Sequence, residues 1–315
     1  MNILVVGAGG QIGTELIPHL QKNYGYDNVI AADVRPVVVE RLSNISWSIA
    51  LDALDVKSYS AIVKENRIDS IYNLVALLSA TGEKNPQLAW SVNMGALLNS
   101  LELAREFKCS IFTPSSIGAF GNNTPHDNTP QDTVMRPNTM YGVCKVSGEL
   151  LSDYYHSRFG VDSRSVRFPG IISNGCLPGG GTTDYAVEVF YEIIRKGTYT
   201  CQIPENTYMD MLYMPDALEA TTQLMDANPA TLIHRNSFNV TGMSFSPKEL
   251  FSAICKRVPS AKFDYNVDPV KDAISASWPN YMDDSCARKE WGWKPKWGME
   301  EMIDDMLSAI RLKQL

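Results

Sequence analysis

The sequence predicts an α/β fold, a doubly wound parallel sheet covered by helices on both faces and followed by a smaller mixed α/β C-terminal lobe. Three observations predict it. The chain opens on an apolar run, Ile3-Leu4-Val5-Val6, that enters a turn with glycines at 7, 10 and 13. Strand-like apolar runs then recur at Val29–Ala32, Ile71–Val75, Cys109–Thr113 and Ser163–Phe168, separated by helical stretches near 58–66, 88–107 and 141–159. Strands alternating with helices in this way build a parallel sheet buried on both faces. Beyond Phe168-Pro169-Gly170 the alternation stops, which marks the change to a second lobe.

Taken in order, residues 2–6 have the continuous apolar pattern of a buried strand. The helix after the glycines carries Ile12, Leu16, Ile17 and Leu20 on one face. The second strand ends at Asp33. After residue 168, Pro178-Gly179-Gly180-Gly181 reads as a loop and 184–196 as a helix. Residues 208–227 and 237–241 supply strand and helix pieces that return to the main sheet. Residues 246–258 and 298–312 belong to the smaller lobe. The expected division is therefore a dinucleotide domain of residues 1–168 with returning segments near 207–243, and a substrate lobe of 169–206 and 244–315. A ligand is expected in the cleft between them, at the carboxyl ends of the strands.

Composition narrows the partners. Of 315 residues, 44% are hydrophobic and 20% charged, the balance of a globular protein. A net charge of −7 argues against nucleic acid and anionic membrane, which select for clustered Lys and Arg. No run of about 18 apolar residues suits a membrane span. The N-terminus lacks the basic and apolar regions of a signal peptide, so a cytoplasmic location is expected, or the mitochondrial matrix if a transit peptide precedes this sequence. The six cysteines form no Cys-x-x-Cys pair, which speaks against a disulfide framework or structural zinc.

The glycine turn lies between a strand and a helix, where backbone can approach a pyrophosphate and helix N–H groups face its charge. Asp33, twenty residues beyond Gly13, can accept both hydrogen bonds of an adenosine ribose diol and would repel a 2′-phosphate. This favours NAD over NADP. Arg35 close by leaves NADP open. Asp55 and Val56, after the expected third strand, are candidates for adenine, although Asp55 by itself reads as a solvated loop acid. Tyr141 and Lys145 are four apart and share a helix face. An ammonium beside a phenol favours the phenolate, which lets tyrosine act as general base near neutral pH. Ser116, just after an apolar strand, offers a hydroxyl that can orient a substrate oxygen.

Gly7-x-x-Gly10-x-x-Gly13, Asp33, Asn93, Ser116, Tyr141-x-x-x-Lys145 and the segment Asp284-Ser285-Cys286-Ala287-Arg288-Lys289-Glu290-Trp291-Gly292-Trp293-Lys294-Pro295 together resemble the extended short-chain dehydrogenase/reductase family. Within it, the sequence is most similar to the short-chain, non-zinc L-threonine 3-dehydrogenases. That resemblance is carried by Leu77-Leu78-Ser79-Ala80, the stretch from Pro114 to Gly121, the stretch from Pro178 to Ala186, Met211-Leu212-Tyr213-Met214-Pro215-Asp216-Ala217 and Ser277-Trp278-Pro279. The resemblance implies a Rossmann-like NAD domain and a homodimer joined through helices 88–107 and 141–159. It also implies oxidation of the 3-hydroxyl of L-threonine to 2-amino-3-ketobutyrate, in threonine catabolism, with NAD as cofactor and no metal. It gives Gly7, Gly10, Gln11, Ile12, Gly13, Asp33, Asp55, Val56, Leu74, Ala76, Asn93, Tyr141, Lys145 and Phe168 as cofactor contacts. It gives Ser79, Ser116, Tyr141, Thr182, Asp184 and Trp278 as substrate contacts, with Thr183 an adjacent alternative to Thr182. Ser116, Tyr141 and Lys145 form the implied catalytic set, and Asn93 supports a water path for the proton.

From the residues alone, Asp184 also fits a helix N-cap, and Trp278 fits a packing aromatic better than a substrate contact. The glycine run 179–181 fits a closing lid and a passive loop equally. Two other functions stay open: a sugar-nucleotide epimerase or dehydratase of the same fold, and a non-catalytic NAD-binding regulator. Phe120, where sugar-nucleotide members typically have tyrosine, weakens the first. The joint presence of Ser116, Tyr141 and Lys145 weakens the second.

Overall fold

Apolar residues at every position of Ile3–Val6 make this strand, β1, buried along its whole length, and it lies inside the central sheet. The computed structural model describes residues 1–175, 177, 179 and 181–313; Pro178 and Gly180 of the expected glycine loop lie outside the described residues. The strands that follow are β2 (Val29–Asp33), β3 (Trp47–Ala50), β4 (Ser70–Asn73), β5 (Ser110–Phe112), β6 (Ser115–Ser116), β7 (Ser163–Arg164), β8 (Val166–Phe168) and β9 (Gly170–Ile172). In the C-terminal half come β10 (Thr198–Cys201), β11 (Met209–Tyr213), β12 (Phe238–Asn239), β13 (Met243–Phe245) and β14 (Lys262–Tyr265). The main sheet has the order β3-β2-β1-β4-β5-β7, and every pair in it is parallel. Strand order reverses on either side of β1, the switch point where open parallel sheets bind ligands beyond their carboxyl ends.

The helices of the first half are α1 (Gln11–Tyr24), α2 (Pro36–Leu42), α3 (Val56–Glu65), α4 (Ser79–Lys84), α5 (Pro86–Phe107) and α6 (Met140–Phe159). Those of the second half are α7 (Tyr185–Lys196), α8 (Met214–Asp226), α9 (Pro247–Arg257), α10 (Pro269–Ser275), α11 (Ser285–Trp291) and α12 (Met299–Lys313). Leu16, Ile17 and Leu20 of α1 share a core with Leu218 and Leu224 of α8 and with β1. Tyr59, Val63, Leu97 and Leu101, from α3 and α5, fill a second core with Leu4, Val6 and Ile71. The sheet is thus covered on both faces, as its apolar strands require. A separate core of Phe190, Met211, Leu250, Ile254, Met306 and Ile310 serves the smaller lobe.

Three details depart from the sequence reading. The strand expected over 71–75 ends at Asn73, although the Leu74 N–H still bonds the Val6 carbonyl at 2.8 Å. The run 163–168 is broken at Ser165. Its hydroxyl accepts from the Ser115 N–H and its carbonyl from the Phe238 N–H, so β8 joins β6 and β12 instead of the six-stranded sheet. The strands of 208–241 likewise pair with β8 and β9, while α8 returns to the main core by packing. The third strand, β3, is exposed or half-buried throughout and so shows no apolar run. None of the described helices is long and apolar enough to cross a membrane.

Candidate active site

The site begins at the turn after β1. Gly7 has φ +79°, and a Cβ there would stand 3.0 Å from the Leu74 carbonyl carbon. A Cβ on Gly13 would come within 2.5 Å of the Ala8 carbonyl oxygen, so only glycine lets α1 pack this closely on the turn. Gly10 precedes α1 with no side-chain cap, and the first turn of α1 holds no acid. Its first N–H groups are therefore available to an anion. The Gln11 side-chain nitrogen is buried without a hydrogen-bond partner, and Gln11 and Ile12 line the cleft. An unpaired donor beside open helix amides fits the pyrophosphate of a dinucleotide.

Asp33 ends β2 and is 3% exposed. Burial alone would raise its carboxyl. The Arg35 side chain and N–H and the Gly9 N–H outweigh that, holding it below the ordinary carboxylate value. Arg35 thus pairs with Asp33 at 2.9 Å. Asp55 caps α3, accepting from the Lys57 and Ser58 N–H groups at 3.2 Å, and Val56 starts that helix exposed. The Asn93 side chain accepts from the Leu77 N–H at 2.7 Å and donates to the Leu77 carbonyl at 3.1 Å. It holds the segment that carries Leu74, Ala76 and Leu78 into the cleft.

The expected reacting groups come from two directions. Phe112, fully buried, packs on Tyr72 and Phe168, with ring centres 5.8 and 6.5 Å away. Burying such a ring contributes about 1.5–3 kcal/mol. It fixes the strand end that delivers Ser115 and Ser116. Ser116 pairs in register with Phe168, and its Oγ accepts from the Gly118 N–H at 3.1 Å. From the other side, Thr139 caps α6 by accepting from the Gly142 N–H at 3.1 Å, which sets the first turn carrying Tyr141. One turn on, Lys145 Nζ donates to the Pro114 carbonyl at 2.6 Å and lies 5.3 Å from the Tyr141 ring centre. Gly118 fills the gap: a Cβ there would meet the Tyr141 ring at 3.2 Å and Ser116 Oγ at 3.4 Å.

These residues open on a cleft of about 170 Å³. Its walls bring together Ser116, Tyr141, Lys145 and Phe168 with Ser79, Thr182, Thr183, Asp184 and Trp278. The expected substrate contacts thus lie within one cavity with the expected reacting groups. Asp184 stands at the N-cap position of α7, yet its side chain makes no capping bond to that helix. It turns back to accept from the Gly181 N–H at 2.5 Å. Trp278 is 8% exposed and packs with Ile117, Phe120 and Met282, so it is both a packing aromatic and a cleft wall. Among the described lining residues Lys145 is the one cation.

Sequence reasoning missed Ser115, Glu149 and Arg167. Glu149 follows Lys145 by one more turn on the face of Tyr141. Its carboxylate accepts from the Ser115 hydroxyl and pairs with Arg167 at 2.8 Å, both charged side chains being 5–6% exposed. Arg167 also donates to the Gln131 carbonyl and the Asn239 side chain. The spacing 141, 145, 149 was the available signal. Its partners come from β6 and β8, which only the fold brings under α6.

The profile of the NAD dependent epimerase/dehydratase family matches residues 3–240. An uncharacterized epimerase/dehydratase of Staphylococcus haemolyticus is 51% identical over 312 residues, covering 99% of this chain and 98% of the relative. Among solved structures, the L-threonine dehydrogenase of Clostridium difficile is 50% identical with a TM-score of 0.95, over 99% of this chain and 98% of that chain. A monomeric L-threonine 3-dehydrogenase from a metagenome is 41% identical with a TM-score of 0.94, over 99% of this chain and all of that one, 100%.

Arg167→Met should leave the Glu149 carboxylate buried without its cation and cost about 3–5 kcal/mol in urea unfolding. The double variant Glu149→Leu/Arg167→Met should recover most of that loss. A double variant no more stable than the single one would contradict the assignment of the pair.

Proposed function

The chain belongs to the NAD dependent epimerase/dehydratase family, and on that premise we propose that it oxidises the 3-hydroxyl of L-threonine to 2-amino-3-ketobutyrate. It binds NAD and has the fold of short-chain-type NAD-dependent oxidoreductases. The observation that carries the substrate reading is the cleft itself. Beside Ser116 and Tyr141 it offers one carboxylate, Asp184, and the small hydroxyls Ser79, Thr182 and Thr183. A zwitterionic amino acid with a secondary alcohol needs that set: a carboxylate for its ammonium, neutral donors for its carboxylate, and a hydroxyl and base at its alcohol.

In this mechanism Asp184 holds the ammonium, and Ser79 and Thr182 hold the carboxylate. Ser116 donates to the 3-oxygen and aims it at Tyr141. Tyr141, with the Lys145 ammonium 5.3 Å from its ring centre, removes the hydroxyl proton as general base. NAD, when bound, supplies the acceptor for the hydride that leaves C3. The residues that would hold it are those of the glycine turn (Gly7, Gly10, Gln11, Ile12 and Gly13), Asp33 at the ribose, Asp55 and Val56 at the adenine, and Leu74, Ala76, Lys145 and Phe168 along the cleft. Trp278 closes the wall opposite. A sugar-nucleotide epimerase reading is disfavoured because, among the described lining residues, a diphosphate would meet no cation except Lys145.

We also propose a homodimer through α5 and α6. Trp90 and Leu98 on α5 are each 43% exposed, and Val143, Leu150 and Tyr154 on α6 are 38%, 61% and 53% exposed. These two helices pack side by side, so the exposed residues make one apolar stripe of the kind that marks an association surface. A relative of the same fold is monomeric, so the stripe rather than the fold decides the assembly.

Two experiments test these readings. Purified protein with NAD should form NADH with L-threonine and not with L-allo-threonine, L-serine, 3-hydroxybutyrate or a UDP-sugar. Tyr141→Phe should lower kcat by about 10²–10⁴-fold while NAD binding by calorimetry changes little. Turnover with another panel member alone would discard the substrate, and full activity in Tyr141→Phe would discard the base. In light scattering the protein should have the mass of a dimer and Leu150→Glu that of a monomer; a monomeric wild type would end the assembly proposal.

A further inference from the structure

Away from the cleft, a second group of chemistry-bearing side chains converges. Cys286 and Glu290 lie one turn apart on α11, His234 lies in the turn before β12, and Asp132 lies in the loop before α6. One donor atom each from His234, Cys286 and Glu290 falls within 4.8 Å of the others. Glu290 is 9% exposed and locked in place: one oxygen accepts from the Ile233 and His234 N–H groups at 2.6 and 3.0 Å. The other meets His234 Nδ1. Arg235 and Ser237 flank this turn with φ of +53° and +61°, conformations that non-glycine residues hold only where the surroundings over-determine them.

The Glu290 contact fixes the imidazole and turns Nε2 to the remaining groups. Asp132 Oδ2 is 3.5 Å from Nε2, and Cys286 Sγ is 4.0 Å from it. A tetrahedral zinc ion bound at about 2.0–2.3 Å separates its ligand atoms by roughly 3.3–3.7 Å. The two spacings from Nε2 approach these values, whereas Asp132, 87% exposed at its side chain, lies outside the group within 4.8 Å and has to swing in toward Cys286 to complete the set. A carboxylate on the far ring nitrogen is also the usual support behind a metal-bound histidine.

We infer that His234, Cys286 and Asp132 form a binding site for a borderline-soft divalent cation such as Zn²⁺, with Glu290 orienting the imidazole and a fourth position left for water. Nitrogen, sulfur and carboxylate together select such a cation over Mg²⁺ or Ca²⁺, which take oxygen. On binding, the Cys286 thiol loses its proton to solvent and its sulfur gains the metal bond. The ion would tie three distant stretches of chain: the loop at 132, the turn at 234 and α11. Met135, three residues beyond Asp132, packs against Ile117, Phe120 and Trp278. A bound ion therefore restrains one wall of the cleft without entering it.

The test uses the full, tag-free protein stripped of metal and titrated with Co²⁺, then with Zn²⁺. Wild type and Cys255→Ser should bind one ion per chain, with an intense near-ultraviolet thiolate-to-cobalt band and tetrahedral visible bands that Zn²⁺ abolishes. Cys286→Ser should lose the near-ultraviolet band, and Asp132→Asn, an exposed change, should weaken Zn²⁺ binding tenfold or more. Absence of the band in wild type, or its persistence in Cys286→Ser, overturns the site. If Cys286→Ser does not fold, unchanged Zn²⁺ affinity in Asp132→Asn overturns it instead.

Discussion

The hydrogen bond from Lys145 Nζ to the Pro114 carbonyl, 2.6 Å long, is the contact on which the rest of the site depends. It joins α6 to the strand end that carries Ser116. One turn later Glu149 repeats the junction through Ser115 and Arg167. The two contacts differ in kind. A hydrogen bond from an ammonium is worth about 1.5–3 kcal/mol, whereas breaking a buried ion pair costs about 3–5 kcal/mol. The two junctions together set the helix against the strand, and the buried pair is the costlier to break. Lys145, half-buried at the cleft wall, is held in place and still lines the cleft. Tyr141 and Ser116 both border Gly118, where a side chain would meet the Tyr141 ring at 3.2 Å and Ser116 Oγ at 3.4 Å.

The cofactor end is governed by a different balance. Asp33 is buried, which alone would disfavour its charge, and three donors compensate. One of them, Arg35, is 57% exposed at its side chain, so its pair with Asp33 is screened and exchangeable. A ribose diol can replace it at small cost. A 2′-phosphate would instead meet the buried Asp33 carboxylate, so this end suits NAD rather than NADP. The open amides of α1 and the unpaired Gln11 nitrogen then complete a surface suited to a pyrophosphate.

Much of this was legible in the sequence because it is local. The glycine turn, Asp33 at a strand end, and Tyr141 and Lys145 on one helix face each follow from spacing within a few residues. Ser79, Thr182, Asp184 and Trp278 were legible only through family resemblance, since nothing local links four residues spread over two lobes. What stayed hidden depends on long-range pairing. Glu149 looks like a surface helix acid until β8 brings Arg167 beneath it. The hold of the Asn93 amide on Leu77, sixteen residues away, is likewise a contact only the fold supplies. The break at Ser165 arises because that residue satisfies groups from 115 and 238, and no apolar pattern reports such a junction. The third strand was expected before Asp55 but without bounds, because an exposed edge strand needs no apolar run.

The central claim is that this one aligned pair, Ser116 and Tyr141, serves removal of hydride from C3 of L-threonine. The most direct measurement is turnover of L-threonine deuterated at C3, with the label followed into NADH by mass spectrometry. The account predicts NADH carrying one deuterium and a slower kcat/KM than with unlabelled L-threonine. Unlabelled NADH, or no NADH with L-threonine at all, would contradict it.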